Sequence, residues 1–152
     1  MTAEPGEFAA GSTVSCTSQH NFTSCKEMND MLNQYVRQAE REQIWMTIDS
    51  SGFYKKHLDE SFCKLLEQAI IQAFNSCRKA APPHDRHIKI RSMEQQHKIF
   101  VKIIYSCEEE ERDDVLKFFA RIGNRLEREE GYFKVQDEDT EQVMMIAIPI
   151  AG

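Results

Sequence analysis

The feature that most constrains this chain is an apolar stripe that stops against two prolines. Leu58, Phe62, Leu65, Leu66, Ala69, Ile70, Ala73, Phe74 and Cys77 recur at three- and four-residue steps. That spacing places them on one face of an α-helix. Asp59 suits the first turn and Arg78 and Lys79 the last, while Pro82-Pro83 forbid continuation. A helix with one apolar face needs an apolar surface to lie on. The following residues supply strands: His87–Met93 and Ile99–Tyr105 alternate in hydropathy, and the short join Glu94–His97 between them predicts an antiparallel hairpin.

The rest of the chain extends this pattern. Lys26–Glu42 predicts another helix, with Met28, Met31, Leu32, Tyr35, Val36 and Ala39 on one face. Ile44–Ile48 predicts a strand and Thr13–Cys16 a weaker one. Val115–Glu129 predicts a third helix, with Val115, Phe118, Phe119, Ile122 and Leu126 facing inward and Gly131 ending it. Tyr132–Val135 and Val143–Ile150 predict a closing hairpin turning at Asp137–Glu141. Pro149 marks the last strand as an edge or as ending there. Two hairpins interrupt the helix–strand alternation, so a purely parallel βαβ series is excluded. The order predicts an α+β fold, a two-layer sandwich of a mixed β-sheet with three helices on one face. Residues 1–12 read as a disordered lead or a cloning remnant, and 13–152 as one domain.

Charge and cysteine usage narrow the function classes. The formal net charge is −6, which argues against a generic nucleic-acid binder, because phosphate contacts demand a basic surface, and leaves room for a local basic patch. The charge is also segmented. Residues 50–107 hold 10 basic and 5 acidic groups, whereas 108–141 hold 6 basic and 13 acidic ones. The 5 cysteines, at 16, 25, 63, 77 and 107, are odd in number and lack C-x-x-C spacing. A disulfide framework and a zinc ribbon are therefore not expected, and a reducing, cytoplasmic setting is. No apolar run approaches the length of a membrane span. His84 and His87 are three residues apart, but no further ligand type clusters with them except Asp85, so no metal site is expected.

Four stretches, taken in order, resemble a known family. These are Asn29–Asn33 with Ala39, Glu40 and Gln43-Ile44; Leu65–Cys77; Ile88–Ile90 with Phe100–Tyr105; and Glu130–Val135 with Ile146–Pro149. Together they resemble the ATP-binding domain of the GHKL ATPases, most closely the receptor histidine kinases of the accessory-gene-regulator type. The resemblance implies a nucleotide site with Mg²⁺-binding Asn side chains on the second helix, an adenine-reading acid after the central hairpin, and glycine-rich turns at the phosphates.

This chain departs from that pattern at each point. Gln68 and Gln72 stand at the Asn positions, and Mg²⁺ tolerates little displacement of its ligands. Ile71 replaces the acid before the second amide. Ser106 and Cys107, followed by Glu108, Glu109, Glu110 and Glu111, stand where the family has an acid and glycines. Leu116–Phe119 lacks the second glycine turn, and no phosphoacceptor histidine box is recognisable. Acids at the phosphates repel a polyanion, by roughly 4 kcal/mol per close pair at an effective dielectric of 20.

Gln68, Gln72, Ser106 and Cys107 are thus expected as a vestigial nucleotide site, with no catalytic residues and no cofactor. Glu108–Glu111 are expected as a candidate surface for a basic partner. The expected role is signal transduction through protein contacts, with a protein partner or a second copy of the chain. Those contacts would use the emptied nucleotide face or the Met28/Met31/Tyr35 face of the first helix. The alternative is a divergent histidine kinase domain that binds ATP and Mg²⁺, with Lys102 or Arg121 meeting phosphate. A third reading, a fragment of a sporulation-phosphotransferase-like protein, requires a helical hairpin outside this sequence.

Overall fold

The computed structural model describes residues 25–54, 60–80, 86–107, 117, 120, 121, 123, 126, 131–138 and 140–149. Helix α1 (Lys26–Arg41) leads into strand β1 (Trp45–Asp49), a 3-10 turn (Ser51–Tyr54) and helix α2 (Glu60–Lys79). Strands β2 (His87–Gln95), β3 (Lys98–Ser106), β4 (Tyr132–Glu138) and β5 (Glu141–Pro149) follow. Lys117, Ala120, Arg121, Gly123 and Leu126 are helical, as the third helix requires, and Leu126 is buried. The strand expected at Thr13–Cys16, the residue Asp59 and the inward positions Val115, Phe118, Phe119 and Ile122 lie outside the described residues.

The five strands form one sheet in the order β1-β2-β3-β5-β4. β1 and β2 are parallel, and the other neighbours are antiparallel. A parallel pair needs a crossover, and α2 is the helix between β1 and β2. Its stripe is fully buried at Leu66, Ala69, Ile70 and Ala73. These residues share one core with Ile88 and Ile90 of β2, Val101 and Ile103 of β3, and Met144 and Ile146 of β5.

Helix α1 packs on α2 and β1. Its Met28, Met31 and Tyr35 are buried in the same core. The Met/Tyr face of the first helix is therefore not a free partner surface, because α2 already covers it. Tyr35 OH donates to Glu67 Oε2 at 2.9 Å, and its ring meets Phe74 with centroids 5.7 Å apart. One turn on, Arg78 lies over the Phe74 ring and donates twice to the Glu42 carboxylate, at 2.7 and 2.8 Å.

Two of the described connections reverse tightly. After α1, Gln43 takes φ 59° and the Ile44 N–H donates to Ala39 O at 2.9 Å. A non-glycine residue thus fills the left-handed position that usually closes a helix. The central hairpin turns through only two residues, Gln96 and His97, at φ 53° and 63°. That is the type I′ signature, whose twist matches the strands. The expected four-residue join is shortened because Glu94 and Gln95 pair with Ile99 and Lys98. β5 lies inside the sheet and ends at Pro149, which pairs with Lys98 at the strand end. Of the two readings of Pro149, termination is the one realised.

Gly131 sits where the chain leaves the third helix. Its N–H donates to Leu126 O at 2.8 Å, and a Cβ there would stand 2.4 Å from Ala147 O. At Gly123, inside the same helix, a Cβ would meet nothing within 4 Å. The two glycines should therefore respond with opposite sign. Gly123→Ala is expected to stabilise by about 0.5–1 kcal/mol through reduced chain entropy. Gly131→Ala should destabilise by roughly 2 kcal/mol, because the atom it would strike, Ala147 O, is backbone. Urea midpoints of the two variants check this.

Glu42 supplies a pH test. The Arg78 guanidinium bonded to it, helped by Gln38, holds its carboxyl down at about 2. A carboxylate depressed in the folded state adds stability above its ordinary 4.5 and loses it as pH falls toward 2. The melting temperature of Glu42→Gln should therefore fall less steeply than that of the wild type between those pH values.

Candidate functional site

The start of β2, the end of β3 and the start of β5 meet at one end of the sheet, and polar side chains gather there. The pleat assigns them to two sides. On the helix side stand Tyr105 and Gln142, which are register partners. Tyr105 OH donates to Gln142 Oε1 at 2.8 Å, and Cys107 Sγ donates to the same oxygen at 3.5 Å. Gln142 Nε2 in turn donates to Asp137 Oδ1 at 2.8 Å. Burial raises the Tyr105 hydroxyl well above its ordinary value, so it stays a donor.

On the opposite side stand His87, Ser106 and Glu141. Ser106 Oγ accepts the His87 backbone N–H at 3.0 Å and lies 3.1 Å from His87 Nδ1. His87 Nε2 meets the Glu141 carboxylate. The imidazole thus bridges β3 and β5, although His87 itself opens β2. Cys77, on α2, donates its thiol to His87 O at 3.2 Å. Burial pushes that thiol up to about 11, so it is a hydrogen-bond donor and not a nucleophile.

The expected vestigial site residues fall in two places. Gln68 and Gln72 lie one turn apart on the outer side of α2, exposed and half-buried respectively, with Ile71 exposed between them. Ser106 and Cys107 close β3, and both are buried against their own chain. The Cys107 N–H is also taken by Thr140 O at 3.0 Å. Glu108, Glu109, Glu110 and Glu111 lie outside the described residues.

Lys102 cannot meet a phosphate held by Gln68 and Gln72. It pairs in register with Arg91 and Met145, on the sheet side opposite α2. Arg121 is an exposed position of the third helix. His87 is engaged with Ser106 and Glu141 and, among the described residues, no group of three His, Cys, Asp or Glu side chains could hold a metal ion.

Sequence reading missed the part played by Gln142, Glu141 and His87. Their one signal was that polar residues interrupt apolar strands at alternate positions, which does not reveal which strands become neighbours.

No protein-family model matches the sequence, and no curated protein sequence matches it. Solved structures do match. The nucleotide-free catalytic domain of histidine kinase ThkA is 13% identical, with a TM-score of 0.52, over 82% of this chain and 92% of that one. ThkA solved in complex with the response regulator TrrA is 14% identical, with a TM-score of 0.56, over 83% of this chain and 40% of that one. The Acinetobacter baumannii histidine kinase AdeS is 13% identical, with a TM-score of 0.52, over 83% of this chain and 64% of that one. The chain has the fold of these histidine kinase catalytic domains, a mixed five-stranded sheet with helices on one side. Among the described residues, no helix is long and apolar enough to cross a membrane.

Gln142 is the residue on which this end of the sheet converges. Gln142→Ala leaves the Tyr105 hydroxyl and the Asp137 carboxylate without this buried partner. It should cost about 1–3 kcal/mol, the penalty for an unsatisfied buried group. Tyr105→Phe removes one donor and should cost less. Denaturant titration of both variants checks the order.

Proposed function

We propose that this chain is a signalling domain of the histidine-kinase fold that acts through protein contacts and does not turn over ATP. The observation behind this reading is the commitment of Ser106 and Cys107. At the positions where the resemblance expects an adenine-reading acid and its neighbour, both side chains are buried and bonded within the chain. A hydroxyl and a thiol already engaged offer no carboxylate to an adenine amine. The residues do not fit the nucleotide as the family holds it, so no phosphoryl-transfer step is assigned. On this reading the domain needs neither ATP nor Mg²⁺, and it works in the cytoplasm. ThkA solved with a response regulator offers a precedent for a regulator protein as the partner. A second copy of the chain is the other candidate.

A divergent ATP-binding kinase domain is the rival reading. It is favoured by Gln68 and Gln72, whose spacing puts two amides on one side of α2.

Thermal melting with and without millimolar Mg-ATP separates the two. Ligand at 100 times its dissociation constant stabilises by about 2.7 kcal/mol, which for a domain of this size is a rise of roughly 5–10 °C. The expected result is no rise. A clear one establishes the kinase reading instead.

A further inference from the structure

The sheet has a second side, turned away from the helices. In-register pairing places His87, Lys89, Arg91 and Met93 of β2 there, with Phe100 and Lys102 of β3. Met145 and Ala147 of β5 and Tyr132 and Lys134 of β4 continue the same rows. Trp45 stands on this side at the edge strand, opposite His87. Among the described residues, four large hydrophobics are strongly exposed, and three of them, Trp45, Met93 and Tyr132, lie here. A groove of about 930 Å³ crosses this side from Asp49 past Arg91, Phe100 and Lys102 to Tyr132.

Two adjacent rows run across the strands on this side, and all their members line the groove except Lys134 and the buried Ala147. One row is Met93, Phe100, Ala147 and Tyr132, in which the Phe100 and Tyr132 rings meet edge to face at 6.3 Å. The next row is Arg91, Lys102, Met145 and Lys134. Rows two residues apart are separated by about 6.6–6.8 Å, and Arg91 to Lys134 spans three strand intervals, about 14 Å. Among the described residues, no ion pair holds Arg91, Lys102 or Lys134. In a chain of net charge −6, three exposed cations in line beside an apolar row form a local reversal of sign.

We infer that this open sheet side docks an acidic amphipathic helix of a partner protein. About nine or ten helical residues cover 14 Å. An apolar edge of such a helix fits the Met93–Tyr132 row, and acids at three- and four-residue steps reach the cation row. The same two rows disfavour other occupants. A second copy in a two-fold contact would set cations against cations. A bilayer surface is flat where this one is grooved. Against a nucleic acid stand Asp49 and Glu138, which flank the cations on this side, and the net charge of −6. The inference does not rest on the ATP reading, which turns on Ser106 and Cys107 at the far end of β3 and uses none of these two rows.

The test uses a labelled 18-residue helical peptide with Leu along one edge and Glu along its flank, and an isomer with Lys in place of Glu. Fluorescence anisotropy should show saturable binding of the Glu peptide that weakens with salt. Amide shifts on binding should fall on β2, β3, β5 and β4 and spare α2. Arg91→Glu, Lys102→Glu and Lys134→Glu together should raise its Kd at least tenfold and transfer binding to the Lys peptide. The control Lys26→Glu, Arg37→Glu, Arg41→Glu on exposed α1 positions makes the same charge change and should leave binding unaltered. The inference is overturned by equal loss in the control, by shifts that map elsewhere, or by absence of Glu-peptide binding. Binding to phosphatidylserine vesicles in place of the peptide, or self-association abolished by the triple substitution, overturns it too.

Discussion

The parallel pairing of β1 with β2 is the constraint on which the remaining structure depends. Antiparallel neighbours can be joined by two residues, as Gln96 and His97 join β2 to β3. A parallel pair cannot, and its connection must travel back over the sheet. Helix α2 makes that journey, and its buried Leu66, Ile70 and Phe74 tie it to the strands. Each such side chain contributes about 1.5–3 kcal/mol relative to exposure. Among the described residues β1 pairs only with β2, so this strand is held through the helix as well as through the ladder. Helix α1 is then fastened to α2 by Tyr35, Glu67, Phe74, Arg78 and Glu42 in sequence.

Once α2 covers one side of the sheet, the two sides acquire separate chemistry. Side chains alternate along every strand, so the pleat sorts them without further cost. Ile, Val and Met line the helix side. Lys, Arg, Met and aromatic residues are left on the other. That sorting separates Lys102 from Gln72 and divides the polar end of the sheet into two networks. Tyr105, Gln142 and Asp137 lie on one side, and His87, Ser106 and Glu141 on the other.

Much of the local structure was legible in the residues. The α2 stripe, the alternation of His87–Met93 and Ile99–Tyr105, and the closing hairpin each announced an element within a few positions of where it lies. Local periodicity suffices there because each element buries one face. The turns were less legible. Gln43, Gln96 and His97 take left-handed backbone conformations with no glycine or asparagine to signal them. Strand pairing on either side compels the turn at Gln96 and His97, and the step from α1 into β1 compels the one at Gln43. The Met/Tyr stripe of α1 was visible as a stripe, but periodicity does not say whether an apolar face meets the core or a partner.

The sequence by itself determined the kinds of element and their order. Those properties depend on side-chain identity and spacing along the chain. The tertiary structure decided which residues share a side. Arg91, Lys102 and Lys134 are spread over three strands, and only the order β2-β3-β5-β4 with its register sets them in one row. The segment 50–107 was legible as basic, but not where its charge would be displayed. A strand's neighbours are chosen by the whole buried core, and no local pattern contains that choice.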